Sequence, residues 1–134
     1  MPLIVDASVG VAWFVRNQAS SYTDRIRRRA RKERLHVPAV WPLEFANALR
    51  QLERRKLLSE LQVDTIIDLV EPLDIVVHRD APPIRRLAAI GRDYDLSAYD
   101  ASYLALALDL RYPVACRDGG LRHALRAAGA KLAV

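Results

Sequence analysis

Leu3-Ile4-Val5-Asp6-Ala7-Ser8 begins with a short apolar run that stops at a carboxylate, and small and aromatic residues follow it. The pattern reads as strand, tight turn and helix, with Asp6 at the strand's carboxyl end. The same order of elements continues down the chain. Ser20 to Arg34 is basic and carries Tyr22, Ile26 and Ala30 at helical spacing, so a helix with a narrow apolar stripe is expected. His36-Val37-Pro38-Ala39 is a second strand. Pro42 then suits a first helical position, and Leu43, Phe45, Ala46, Leu49 and Leu52 keep helical spacing toward Lys56, with Glu44 in the first turn. Ser59 caps a helix through Val70, and Asp74-Ile75-Val76-Val77 is a third strand. Pro82-Pro83 opens a helix carrying Ile84, Leu87, Ala88 and Ile90. Ser97 begins a capping box with Asp100 and heads the most apolar helix, Tyr99 to Leu110. Pro113-Val114-Ala115-Cys116 is a fourth strand, Leu121 to Ala128 a helix, and Lys131 to Val134 a last short strand. This alternation predicts an α/β fold: one domain over residues 1–134, with a parallel central sheet of four or five short strands and helices on both faces.

Composition narrows the function. A chain of 134 residues can bury one core, and 51% hydrophobic residues interrupted by charges describe a globular protein. No apolar run is long enough to span a bilayer, and the first residues lack the basic start and long apolar stretch of a signal peptide, so a cytoplasmic protein without a membrane partner is expected. Cys116 is the only cysteine, which leaves no intrachain disulfide and no thiolate metal cage. His36, His78 and His123 are far apart in sequence and show no metal-ligand spacing. Any metal would therefore be held by oxygen, which favours Mg²⁺ or Mn²⁺ over zinc. The net charge of +5 attracts a polyanion, and the excess of Arg over Lys suits phosphate, because a planar guanidinium can bind two oxygens at once.

The ligand site of an open parallel sheet lies beyond the carboxyl ends of its strands. Asp6 ends the first strand, Asp118 follows the fourth, Glu44 opens the helix after the second, and Asp100 begins a helix whose N-terminus can reach the same edge. Each acid alone can be read as a helix cap. Four on one edge are different, because crowded carboxylates repel and raise one another's pKa, and a divalent cation removes that penalty. Such a site can hydrolyse a phosphodiester by polarising the phosphoryl oxygen and acidifying a water. No histidine is placed for a Ser-His-Asp or Cys-His arrangement, and neither the dinucleotide nor the P-loop glycine pattern is present. A haloacid-dehalogenase-type phosphatase needs a second aspartate two positions after the first, where Ser8 stands. A phosphotransfer receiver wants a phosphoacceptor after the third strand and a lysine after the fifth. Here His78-Arg79-Asp80 follows the third strand and Lys131 begins the last.

The segments Ile4-Val5-Asp6-Ala7-Ser8, Glu44-Phe45-Ala46-Asn47-Ala48-Leu49 and Leu96-Ser97-Ala98-Tyr99-Asp100-Ala101-Ser102-Tyr103-Leu104-Ala105-Leu106-Ala107 resemble, in order and spacing, the PIN-domain nucleases. Within these the match is to the VapC toxin group of type II toxin–antitoxin modules. The resemblance covers essentially the whole chain, and the segment around Asp100 is its most specific part. It implies a single PIN-like domain that acts as a Mg²⁺- or Mn²⁺-dependent endoribonuclease. Such an enzyme cuts tRNA or ribosomal RNA to arrest translation, forms a homodimer, and is neutralised by a cognate VapB-like antitoxin. Asp6 and Asp100 match the principal metal carboxylates, Glu44 the second acidic position and Asp118 the fourth. Ser8 matches the hydroxyl residue that supports the first aspartate, and Asn47, three positions after Glu44, a polar companion on the same helix face. Cys116 stands where the family usually has Thr or Ser, and a thiol is the weaker donor. Gly119-Gly120 loosens the turn after Asp118. The alternative is a PIN-like module that binds RNA or protein without cutting.

Arg25, Arg27, Arg28, Arg29, Arg31, Lys32 and Arg34 form the densest charge run. Arg25, Arg28, Arg29, Arg31 and Lys32 in particular could follow an RNA backbone or receive an acidic antitoxin segment, against the alternative of a solvated helix face. Trp13, Phe14 and Trp41 could line a groove for an antitoxin helix, or pack in the core. Tyr99 and Tyr103 share a helix face and read as core or dimer contacts.

Overall fold

A computed structural model describes all residues from Met1 to Val134. Four short strands, β1 (Leu3–Val5), β2 (Leu35–Pro38), β3 (Ile75–His78) and β4 (Val114–Ala115), pair in parallel in the order β3-β2-β1-β4. The chain steps outward from β1 through β2 to β3 and then returns across β1 to β4. The reversal falls at β1, so the crevice of the sheet opens at the carboxyl ends of β1 and β4. The registers Val5↔Ala115 and Leu3↔Leu35 set these ends side by side, and the Asp6 N–H donates to the Ala115 carbonyl at 2.9 Å.

Seven helices fill the connections: α1 (Ala7–Ala12), α2 (Ser21–Ala30), α3 (Trp41–Arg54), α4 (Glu60–Val70), α5 (Ile84–Tyr94), α6 (Ala98–Leu110) and α7 (Gly119–Ala127). Alternation along β1 divides the interior in two. Ile4 joins a large core with Val11 of α1, Phe45 and Leu49 of α3, Ile66 of α4, Ile90 of α5, Tyr103 and Leu104 of α6, and Leu121 and Leu125 of α7. Leu3 and Val5 point into a smaller core with Val9 of α1, Trp13 at its C-cap and Ile26 of α2. Helices therefore lie on both faces. Ala101, Tyr103, Leu104 and Ala105 are fully buried, which explains why α6 is apolar almost all round: a helix enclosed on several sides has little polar face to offer. Each such Leu or Ile contributes about 1.5–3 kcal/mol on burial. No helix is long and apolar enough to cross a membrane.

Two expected elements are shorter than their sequence pattern suggests. The last strand, expected over 131–134, is a single bridge between Val114 and Leu132, held by Val114 N–H to Lys131 O at 3.0 Å and Ala133 N–H to Val114 O at 2.8 Å. Those two bonds engage both polar groups of Val114, and β4 is itself only two residues long, so the ladder has nowhere to continue. Helix α2 ends at Ala30, with the rest of the basic run in the turn before β2.

The aromatic residues do not form one groove. Trp13 and Trp41 are both buried, and Trp41 lines an apolar cleft with α4 while Trp13 and Phe14 border a separate one near the end of α2. Tyr103 is fully buried whereas Tyr99, one turn earlier, is 62% exposed. The two share a face, but Tyr99 stands in the first turn of α6, at the end of the helix, and Tyr103 one turn further in.

Candidate active site

Each sequence-predicted acid is delivered to the carboxyl edge by a different element. Asp6 stands at the N-cap of α1, yet its carboxylate makes no capping bond. It accepts instead from the Ser8 hydroxyl, and the Ser8 and Ala7 backbone N–H groups favour its charged form. Burial nevertheless dominates and raises the Asp6 pKa above the usual carboxylate value, with the Asp118 charge adding to the rise.

Glu44 lies in the first turn of α3 and accepts a 2.8 Å hydrogen bond from the Tyr103 hydroxyl. Burial raises its pKa, the Tyr103 bond opposes the rise, and Asp6 and Asp100 add to it. Asn47 is exposed and makes no hydrogen bond to Glu44, so the expected companionship is limited to a shared face. Asp100 begins α6, and its N–H donates to Ser97 Oγ at 3.1 Å. The return bond of a full capping box is missing. The Asp100 carboxyl is instead close enough to Asp118 and Asp6 for both charges to raise its pKa, after the larger effect of burial.

Asp118 is the N-cap of α7 and accepts from Leu121 N–H at 2.8 Å. Gly119 and Gly120, expected to loosen the turn, are the first two helical residues instead. A Cβ on Gly120 would stand 3.3 Å from Asp118 Oδ2, so the missing side chain leaves room for the carboxylate. Cys116 is fully buried, and its thiol is pushed up to about 12 by burial first and then by Asp6. It stays a neutral thiol beside the acids.

The four carboxyls therefore share one electrostatic field, although no three of them, with or without His or Cys, converge as a coordination shell. The two observations are compatible. Ser8, Tyr103 and Leu121 each hold one acid on a protein donor. An all-oxygen donor set of this kind fits a hard divalent cation that retains several waters.

The residue that sequence reasoning missed is Tyr103. Its hydroxyl donates to Glu44 Oε1 and accepts from the Ala7 N–H at 3.2 Å, so one buried group joins α6, α3 and the start of α1. Its helical spacing suggested a core residue and gave no sign of the polar end's task.

The basic residues stand apart. Arg29 is paired with Glu33 at 3.1 Å and Arg25 lies over the Tyr22 ring, 5.7 Å from its centroid. Arg31 and Lys32 follow α2 toward the first residue of β2, at the amino edge of the sheet, whereas the acids occupy the carboxyl edge. The histidines, distant in sequence, are partly brought together: His36 Nδ1 and His78 Nε2 are 2.9 Å apart across β2 and β3. Their centroids are 5.1 Å apart, close to that distance plus both ring radii, so the nitrogens point at each other as in a shared-proton hydrogen bond.

The PIN domain family model matches residues 3–126. The chain is 31% identical over 126 residues to Ribonuclease VapC12 of Mycobacterium tuberculosis, covering 89% of this chain and 88% of that protein. It is 30% identical over 109 residues to Ribonuclease VapC3 of Pyrobaculum aerophilum, covering 80% and 82% respectively. The crystal structure of PAE2754 from Pyrobaculum aerophilum superposes with a TM-score of 0.65 at 20% identity, over 92% of this chain and 84% of that one. The crystal structure of FitAcB from Neisseria gonorrhoeae gives a TM-score of 0.67 at 19% identity, over 97% and 95%.

Proposed function

The chain belongs to the PIN domain family, and on that premise we propose that it is a VapC-type toxin, an endoribonuclease that hydrolyses RNA phosphodiester bonds with Mg²⁺ or Mn²⁺. Its targets are tRNA or ribosomal RNA, and a cognate VapB-like antitoxin neutralises it. Both ribonuclease relatives cover most of the chain and support this reading. The observation that carries the chemistry is the gathering of Asp6, Glu44 and Asp100 where burial first raises each pKa and neighbouring carboxylates add to it: Asp118 for Asp6, Asp6 and Asp100 for Glu44, and Asp118 and Asp6 for Asp100. Four acids brought from four elements to one edge make structural sense when a cation is to be held.

Asp6, Asp100 and Asp118 would hold the cation, with Glu44 at the margin of the same field. When bound, the cation supplies Lewis acidity, polarising a phosphoryl oxygen and acidifying a water. Ser8 fixes the orientation of Asp6, and the Leu121 N–H fixes that of Asp118. Glu44, held by Tyr103 and with a raised pKa, is the base suited to take a proton from the attacking water. The homodimer and the role of the basic α2 surface in binding RNA or antitoxin belong to the same proposal.

Purified, antitoxin-free protein incubated with total RNA and Mg²⁺ or Mn²⁺ tests this reading, beside EDTA and Asp100→Asn controls. Discrete fragments that vanish in both controls are expected, and their ends identify the target. A folded protein that cuts nothing with either ion would instead favour the non-cleaving PIN-like binding module.

A further inference from the structure

On the β3 side of the acids, a cavity of about 240 Å³ opens between the turn after β2, the turn after β3, Leu87 of α5 and the face of α6 that runs from Tyr99 to Asp109. Val40, His78, Asp80, Pro82, Tyr99 and Ser102 are among its lining residues. Its place follows from the topology. β2 and β3 run parallel to β1, so their carboxyl ends share the edge that carries Asp6, and Tyr99 and Ser102 bracket Asp100 on α6. The walls are largely apolar with a few polar groups, the composition of a small-ligand pocket. The volume lies below the roughly 300–1,000 Å³ of drug-sized sites, so it suits a single ring system.

Two features suit the cavity to an occupant on the edge that carries the acids. The Tyr99 ring borders the cavity and is 62% exposed, immediately before Asp100 in the chain, so an aromatic surface is available to stack on. The wall opposite is stiffened, because the His78 ring is held by His36 at 2.9 Å. Polar capacity also remains open: Asp109 is engaged by both Arg86 nitrogens at 2.8 and 2.9 Å, whereas Asp80 has no ion-pair partner.

We propose that this cavity takes one unstacked nucleobase of the RNA substrate, adjoining the scissile phosphate, with the base stacked on Tyr99 and its edge toward Asp80 and Ser102. Proteins that read single-stranded RNA stack splayed bases on aromatic side chains in this way. The inference rests on the nuclease reading and adds to it the part of the substrate that neighbours the cut.

The test uses a short single-stranded RNA containing a cut site mapped in total RNA, with each nucleotide in turn made abasic. It is cut by wild type, Tyr99→Phe and Tyr99→Ala, and the mass of each protein is measured by sedimentation. At one position next to the cut, the abasic RNA is expected to lose about 5- to 150-fold in kcat/KM with wild type and Tyr99→Phe. That range is the loss of one base–aromatic stack at tenfold per 1.4 kcal/mol. Tyr99→Ala should cut intact and abasic RNA alike. If wild type cuts every abasic RNA equally, or Tyr99→Ala keeps the positional loss, the subsite is overturned while the nuclease stands. A changed mass for Tyr99→Ala overturns it in favour of a contact between copies. If no cut can be mapped in total RNA with either cation, both the nuclease and the subsite fall.

Discussion

The Tyr103 hydroxyl donates to Glu44 Oε1 at 2.8 Å while accepting from the Ala7 N–H at 3.2 Å, which makes this buried tyrosine the link between α6, α3 and the first turn of α1. Ala7 follows Asp6 directly, so the same hydroxyl steadies two of the acids. Burial and the neighbouring Asp6 and Glu44 charges keep the phenol protonated by raising its pKa. Tyr103→Phe should leave the Ala7 N–H buried without a partner and destabilise the fold by about 1–3 kcal/mol. With Glu44 released, cleavage should fall by about 10- to 100-fold, as when a supporting partner of a metal site is removed. Denaturant unfolding and cleavage kinetics on one preparation read both effects.

The acids should cost the metal-free protein stability. Asp6, Glu44 and Asp100 titrate above their ordinary values, so the folded chain binds more protons than the unfolded chain over that interval. Their contribution is full below about pH 4 and is lost as pH rises through the raised values. At pH 7, Asp6→Asn should therefore raise Tm, by on the order of 1 kcal/mol or about 2–5 °C, while abolishing cleavage. Added Mg²⁺ or Mn²⁺ should raise Tm of wild type more than that of the variant. Thermal scans with EDTA and with each ion check both parts.

The His36–His78 contact gives the sheet a pH dependence of opposite sign. Burial, then the neighbouring His78 and Arg34, lower the His36 pKa, against a smaller opposing effect of Asp74. The unfolded chain then binds more protons once pH falls below about 6.5, so the stabilisation is present above that value and lost as pH falls through the folded pKa. His36→Gln should flatten the decline of stability between neutral and mildly acidic pH, as read by urea midpoints across that interval.

Gly91 controls the turn that starts α6. A Cβ there would stand 2.9 Å from the Leu96 carbonyl oxygen, a backbone atom that cannot swing aside, and the Leu96 N–H donates to the Gly91 carbonyl at 3.0 Å. Gly91→Ala should cost about 1–3 kcal/mol through this overlap, outweighing the gain in helix propensity. A lower urea midpoint, with the far-UV spectrum retained at low urea, is the expected result.

Much of the site was legible because its acids sit where strand runs end and helices begin. Leu3-Ile4-Val5 before Asp6 and Ser97 before Asp100 are local patterns, and a parallel sheet brings such positions to one edge whatever the details. Long-range pairing was not legible. His36 and His78 are 42 residues apart and meet only through the β2–β3 register, and Tyr103 reaches Glu44 across 59 residues. A buried tyrosine and a core leucine follow the same spacing rule, so periodicity placed the ring inside without indicating where its hydroxyl would go. The last strand failed for a similar reason: a short apolar tail shows its propensity, while the number of residues that pair depends on the free groups of β4.

The most direct test of the central claim, that the acids act as one unit, is a double-mutant cycle on cleavage of a mapped RNA by wild type, Asp6→Asn, Asp100→Asn and the double variant. Each single change should lower kcat/KM by at least about a thousandfold, with the double variant no worse than the poorer single one, as for residues that act together. Losses that multiply across the cycle, or a single variant that cuts as well as wild type, would contradict a shared site.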